Sequence, residues 1–152
     1  MRRFSLTLIA TALSALLSSC SVEGSLGPAD LFRHARAEAL WQKQGLSDYD
    51  FELLIGCFCR YDGTLLVRVR AGTVISATRL ADGSPLTAAE VAAVPSIREL
   101  FEIARDALER ADEVEVAYHP TLGYPTSMAI DWQHNAADDE IFYTAAEVVP
   151  AP

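Results

Sequence analysis

The sequence predicts an α+β fold, an antiparallel β-sheet of about six strands with helices on one face. Two observations carry this. Six short segments alternate apolar and polar residues with period two, and two longer ones place apolar residues at helical spacing behind helix-start signals. The order helix, three strands, helix, three strands also admits two copies of one α-β-β-β unit. A trace of such a repeat exists: Leu31-Phe32 with Ala35-Arg36 matches Leu100-Phe101 with Ala104-Arg105 at a constant offset of 69. Helices rich in Ala and Leu also give four such matches by chance, so a single layer without internal symmetry stands beside the repeat.

Pro28 to Gln44 reads as the first helix. Pro28 suits its first turn, Gly45 its C-terminal stop, and Leu31, Phe32, Ala35 and Ala39 form a partial apolar stripe. Asp48 to Arg60 then alternates, with Tyr49, Phe51, Leu53, Ile55, Cys57 and Cys59 on one face, as a half-buried strand does. Leu65, Val67 and Val69 mark a second strand, Ala71-Gly72 a hairpin turn, and Val74 to Leu80 a third strand. Residues 81–85 (ADGSP) form a loop. Thr87 to Glu90 has the spacing of a capping box and starts one short helix ending before Pro95. Ser96 to Glu99 repeats the box ahead of Leu100, Phe101, Ala104 and Leu108, predicting a long helix from Ile97 to about Arg110. Val114, Val116 and Tyr118 make the fourth strand. Residues 119–125 turn the chain, Met128, Ile130 and Trp132 define the fifth strand, and Ile141 to Val148 the sixth. The tail, Pro150 to Pro152, should fray. This architecture resembles small periplasmic sheet-and-helix domains, including tandem inhibitor-like and cystatin-like folds, a likeness of shape that implies no activity.

The N-terminus reads as an address. Arg2 and Arg3 precede an uncharged apolar run from Phe4 to Leu17, which suits a signal peptide and is shorter than the ~20 residues a spanning helix needs. The run ends in Leu17-Ser18-Ser19-Cys20, which resembles the lipobox of bacterial lipoproteins. That resemblance implies cleavage before Cys20, a diacylglyceryl group on its sulfur, and an extracytoplasmic, lipid-anchored protein. With Ser21 after the Cys, it points to the periplasmic face of the outer membrane in a diderm cell. The expected organisation is therefore a signal peptide over 1–19, a lipidated N-terminus and short tether over 20–27, and one α+β domain over 28–149. At 152 residues the length fits one domain.

Charge narrows the partners. The chain has 12 basic and 21 acidic side chains, a formal net charge of −9. Loss of residues 1–19 removes two of the basic groups and none of the acidic ones, so the mature chain carries −11. Nucleic acid, which demands a basic footprint, is excluded as an expected partner.

Several strings stand out in order: Trp41, the run Asp48-Tyr49-Asp50-Phe51, Cys57-Phe58-Cys59, and Val67-Arg68-Val69 with Gly72 and Val74. Gly123-Tyr124-Pro125-Thr126 and Asp138-Asp139-Glu140 complete the set. Jointly they resemble a domain family of bacterial secreted proteins and lipoproteins, the domain of unknown function 6174. The resemblance implies an extracytoplasmic domain with no assigned activity, and it brings no catalytic residues.

With Cys20 lipidated, Cys57 and Cys59 remain as a pair in an oxidising compartment. In an extended strand their Cα atoms would stand roughly 6.6 Å apart, twice the per-residue rise, so a disulfide needs a bend that Gly56 permits. A strained bridge would suit thiol exchange. Burial among Phe51, Leu53 and Ile55 instead suits an inert structural pair. No zinc-ligand spacing links these cysteines with His34, His119 and His134. Asp131, Asn135, Asp138, Asp139 and Glu140 gather oxygens but lack the order of a calcium loop. No motif of nucleophilic or phosphate chemistry is present. Tyr124 is an aromatic in a turn, within reach of a partner although turn packing explains it as well. The expectation is a non-enzymatic binding or scaffolding module with no cofactor and no metal, anchored to the membrane through lipid on Cys20. Its partner would be an envelope protein or small ligand. A redox role for Cys57 and Cys59, or an inhibitor-like module acting on an envelope enzyme, is the alternative.

Overall fold

Helix caps and turn glycines fix most element boundaries. The computed structural model describes residues 27–56, 63–136 and 139–152. Its elements are α1 (Pro28–Gln42), β1 (Tyr49–Gly56), β2 (Thr64–Arg70), β3 (Thr73–Arg79), α2 (Ala88–Val91), α3 (Ile97–Arg110), β4 (Glu113–Tyr118), β5 (Pro125–Asp131) and β6 (Ile141–Pro150). Both expected capping boxes form. The Thr87 hydroxyl accepts from the Glu90 amide, and the Ser96 hydroxyl from the Glu99 amide. Each Glu carboxylate returns to the cap amide at 2.8 Å. Ala71 and Gly72 both take positive φ (49° and 75°), the pairing a tight hairpin needs between right-twisted strands.

All six strands form one antiparallel sheet in the order β3-β2-β1-β6-β5-β4. Helices α1 and α3 pack together on one face, where Trp41 and Phe101 share a core with Tyr49, Phe51, Leu53, Leu65, Val67 and Val69. Tyr49 ties the layers: its hydroxyl accepts from the Ile97 amide at the start of α3, and its ring meets Trp41 edge-on at 5.4 Å.

The topology corrects the two-copy expectation. Matching β1, β2, β3 onto β4, β5, β6 keeps their left-to-right order but reverses every strand direction. A rigid rotation that does this also exchanges the two faces of the sheet, so the two helices would lie on opposite sides. They lie on the same side. The residues of the trace disagree as well: Leu100 and Phe101 are buried, while Leu31 and Phe32 are exposed by 39% and 70%.

Helix α1 is also turned the other way from its expected stripe. Ala35 and Ala39 face solvent with Leu31 and Phe32, and the inward residues are His34, Ala37 and Trp41. Close backbone packing causes this. Gly123, at φ 87°, comes so near α1 that an added Cβ would lie 2.3 Å from the Ala37 carbonyl oxygen and 2.9 Å from the Trp41 amide nitrogen. Only the side with a small Ala37 and a flat Trp41 ring fits against that turn.

Three smaller differences follow from pairing. The tail does not fray, since Pro150 sits opposite Tyr49 and the Ala151 amide donates to the Asp48 carbonyl. β5 starts at Pro125 and ends before Trp132, because β4 offers partners only from Tyr118 back to Glu113. α1 stops at Gln42, two residues early, and Gly45 turns the chain at φ 63°.

Gly123→Ala should therefore cost about 3 kcal/mol, since both the conformation and the space forbid a side chain. Gly45→Ala, where a Cβ meets nothing, should cost about 1 kcal/mol. Urea denaturation of both variants checks this; equal losses would contradict the packing role given to Gly123.

Candidate binding surface

With both long helices on one face, the opposite face of the sheet has no helix over it among the described residues. Its two halves differ. On β1 and β2, Asp50 lies opposite Arg68 and bonds Arg70 at 2.8 Å, so that half is closed by ion pairs. On β4, β5 and β6 the outward residues are small or hydroxylated. Ala117 faces Ser127, Ser127 faces Thr144, and Ala129 lies between Glu115 and Phe142. Small side chains in the middle and larger ones around them leave a concavity of about 450 Å³. It wraps around the edge strand β4 to the helix side, where Leu108 of α3, the inward Val114, Val116 and Tyr118, and Asp30 and Arg33, paired at the start of α1, also line it. This volume falls in the range of small-ligand sites. Phe142 is 53% exposed, and its ring carbons lie beside Gly56 across the β1–β6 pair.

At one end of this face, Glu113 stands directly opposite Asp131, a like-charge pairing that is unfavourable by itself. His134 relieves it. Its Nδ1 lies 2.9 Å from Asp131 Oδ2, its backbone amide donates to Asp112, and the hydrogen bond to Asp131 raises its pKa. Glu113, Asp131 and His134 bring ligand atoms within 4.8 Å of one another. Their exposed setting is accounted for by charge balance. Of the oxygen residues singled out in the sequence, Asp131 joins this cluster and Asp138 lies outside the described residues. Cys20, Cys57 and Cys59 also lie outside them. Tyr124 is buried, stacked on His119 at 5.0 Å and edge-on to Trp41, so it packs the turn.

Sequence reasoning missed one polar group, His34. It is 2% exposed beneath α1, its Nδ1 is 2.9 Å from the Tyr118 hydroxyl, and Phe101 meets its ring edge-on. Its Nε2 is buried without a hydrogen-bond partner, 3.9 Å from a Glu38 oxygen that is itself held by Arg105 at 2.7 Å. The only sequence signal was a polar residue spaced between Asp30, Ala37 and Trp41. Burial is the main cause that lowers the His34 pKa; Arg105 adds to it, and Glu38 and Glu109 oppose it. Burial likewise raises the Tyr118 pKa.

A histidine that binds its proton less well folded than unfolded permits stability above its ordinary pKa of 6.5, and that stability is lost as pH falls toward the folded value. His134 acts in the opposite sense, so the test uses a His134→Gln background. There the urea midpoint should fall between about pH 7.5 and about pH 5.5, and His34→Leu should flatten the slope. An unchanged slope would remove His34 as its cause.

No curated protein and no solved structure matches this chain. One family model does, over residues 33–150, which runs from the first turns of α1 to the end of β6. The chain therefore belongs to DUF6174, a family of unknown function.

Proposed function

We propose that the chain is a lipid-anchored envelope protein whose domain is a non-enzymatic binding module, with the concavity around the β4 edge of the sheet as its recognition surface. The observation that carries this reading is the concavity itself. An exposed Phe142 supplies apolar contact, Ser127 and Thr144 supply hydroxyls, and Glu115 supplies a charge, around a floor of Ala117 and Ala129. A few polar groups around an apolar patch fix the orientation of a ligand. The location rests on Leu17 to Cys20, with residues 1–19 as the signal and Cys20 as the acylated N-terminus. Cys57 and Cys59 are assigned as a structural disulfide in the same oxidising compartment.

Cys20→Ala should leave an uncleaved precursor and abolish acyl labelling; normal labelling would refute the anchor. A photo-crosslinking residue at position 142 should capture one discrete partner in intact envelopes, and the same residue at Asp82, an exposed turn far along the chain, should not. Equal capture at both positions would remove the concavity as the recognition surface. For the cysteines, denatured, non-reduced protein should show no free thiol; two free thiols would overturn the bridge.

A further inference from the structure

We infer that the outward face of α1 is a membrane-docking surface for an anionic phospholipid bilayer, the one in which the chain's own lipid anchor sits. The inference rests on the anchor proposed above. Its first ground is the face itself. Phe32, Arg36, Ala39 and Lys43 recur at spacings of four, three and four, so they form one stripe along the helix and its C-cap. Phe32 is 70% exposed at the N-terminal end of the stripe and Leu31 is 39% exposed at its side. The two carboxylates of α1 point elsewhere: Asp30 is bonded to Arg33 and to the Gly27 amide, and Glu38 to Arg105.

The second ground is charge. In a chain with nine more acidic than basic side chains, free cations are scarce. Arg33, Arg68, Arg70, Arg79, Arg98, Arg105 and Arg110 each pair with a carboxylate. Among the described residues, the basic side chains without an ion pair are Arg36 and Lys43, and both lie on this stripe. An exposed apolar ring followed by unpaired cations along one helical face is a pattern that enters the interface of an anionic bilayer, the ring in the acyl boundary and the cations among the phosphates.

The third ground is reach. Seven residues separate Cys20 from Pro28, and a chain of that length spans at most about 25 Å. The anchor thus delivers the first turn of α1, with Leu31 and Phe32, to the bilayer surface. Because α1 covers one face of the sheet, docking through its outward side turns the opposite face, with Phe142, away from the lipid. The anchor sets location and α1 sets orientation.

The test uses the acylated full chain reconstituted in vesicles of phosphatidylcholine and phosphatidylglycerol with brominated acyl chains. Phe32→Trp should gain fluorescence quenching over the background of Trp41 and Trp132, and Leu54→Trp, on the uncovered sheet face, should gain none. Adding Arg36→Glu and Lys43→Glu should cut the gain at position 32 by roughly half. All these positions are exposed, and an unchanged circular dichroism spectrum shows that each variant folds. If Cys20 is acylated but position 32 is quenched no more than position 54, docking is overturned and the anchor survives. If Cys20 carries no acyl chain, anchor and docking fall together. Quenching that ignores both charge reversals overturns the electrostatic part and with it the anionic surface.

Discussion

The pairing of β1 with β6 is the constraint on which the rest of the structure depends. These strands are far apart in sequence, yet they lie side by side at the centre of the sheet from Tyr49 opposite Pro150 to Gly56 opposite Phe142. Each half of the chain makes a meander of three strands, and neither meander is closed until the last strand arrives. Three things follow. The C-terminal segment is a central strand and not a loose end. The sheet is continuous, so one face can be covered by α1 and α3 with α2 against β3. The other face brings Phe142 beside Gly56 at the border of the concavity. A join between distant strands carries a high loop-closure cost, which the buried Tyr49, Phe51, Leu53 and Ala145 in its neighbourhood offset.

How much of this was legible depended on whether the deciding interaction was local. Helix α3 runs from Ile97 to Arg110 as expected, because its capping box and its apolar residues at helical spacing agree. The short helix behind Thr87 and the turn at Ala71-Gly72 were legible for the same reason. The inward face of α1 was not. Leu31 and Phe32 are the more apolar residues, but the face is chosen by Gly123 pressing on the Ala37 carbonyl and by Trp41 filling the space between Tyr49 and Tyr124. That choice depends on a loop some 80 residues away, which no window of sequence reveals. The repeat failed likewise: its four matching residues are alike in type and unlike in burial.

The candidate surface was partly legible. Alternation along β4, β5 and β6 sorts Ser127, Ala129 and Phe142 onto the face opposite Met128, Ile130 and Tyr143. It does not say which face the helices cover, nor that Glu113 comes to lie opposite Asp131. His34 was less legible still. A histidine in a helix reads as a surface group until Phe101 and Tyr118, from two other elements, enclose it.

Helix α1 carries two functions on two faces, and their separation has a physical consequence. Inward, His34, Ala37 and Trp41 hold the helix to the sheet through short-range packing. Outward, Phe32, Arg36 and Lys43 make no contribution to that packing, since an exposed ring and unpaired cations gain little from the fold. The helix dipole favours a cation at the C-cap, where Lys43 sits, but gives no reason for Arg36 to share a face with an exposed aromatic. Stability would be served as well by carboxylates pairing with Arg36 and Lys43, as Asp30 pairs with Arg33 and Glu38 with Arg105. The position that could answer both cations is 39, three residues after Arg36 and four before Lys43, and it holds an alanine, small enough to let a flat surface approach the helix. A bilayer supplies that surface and the missing negative charge together.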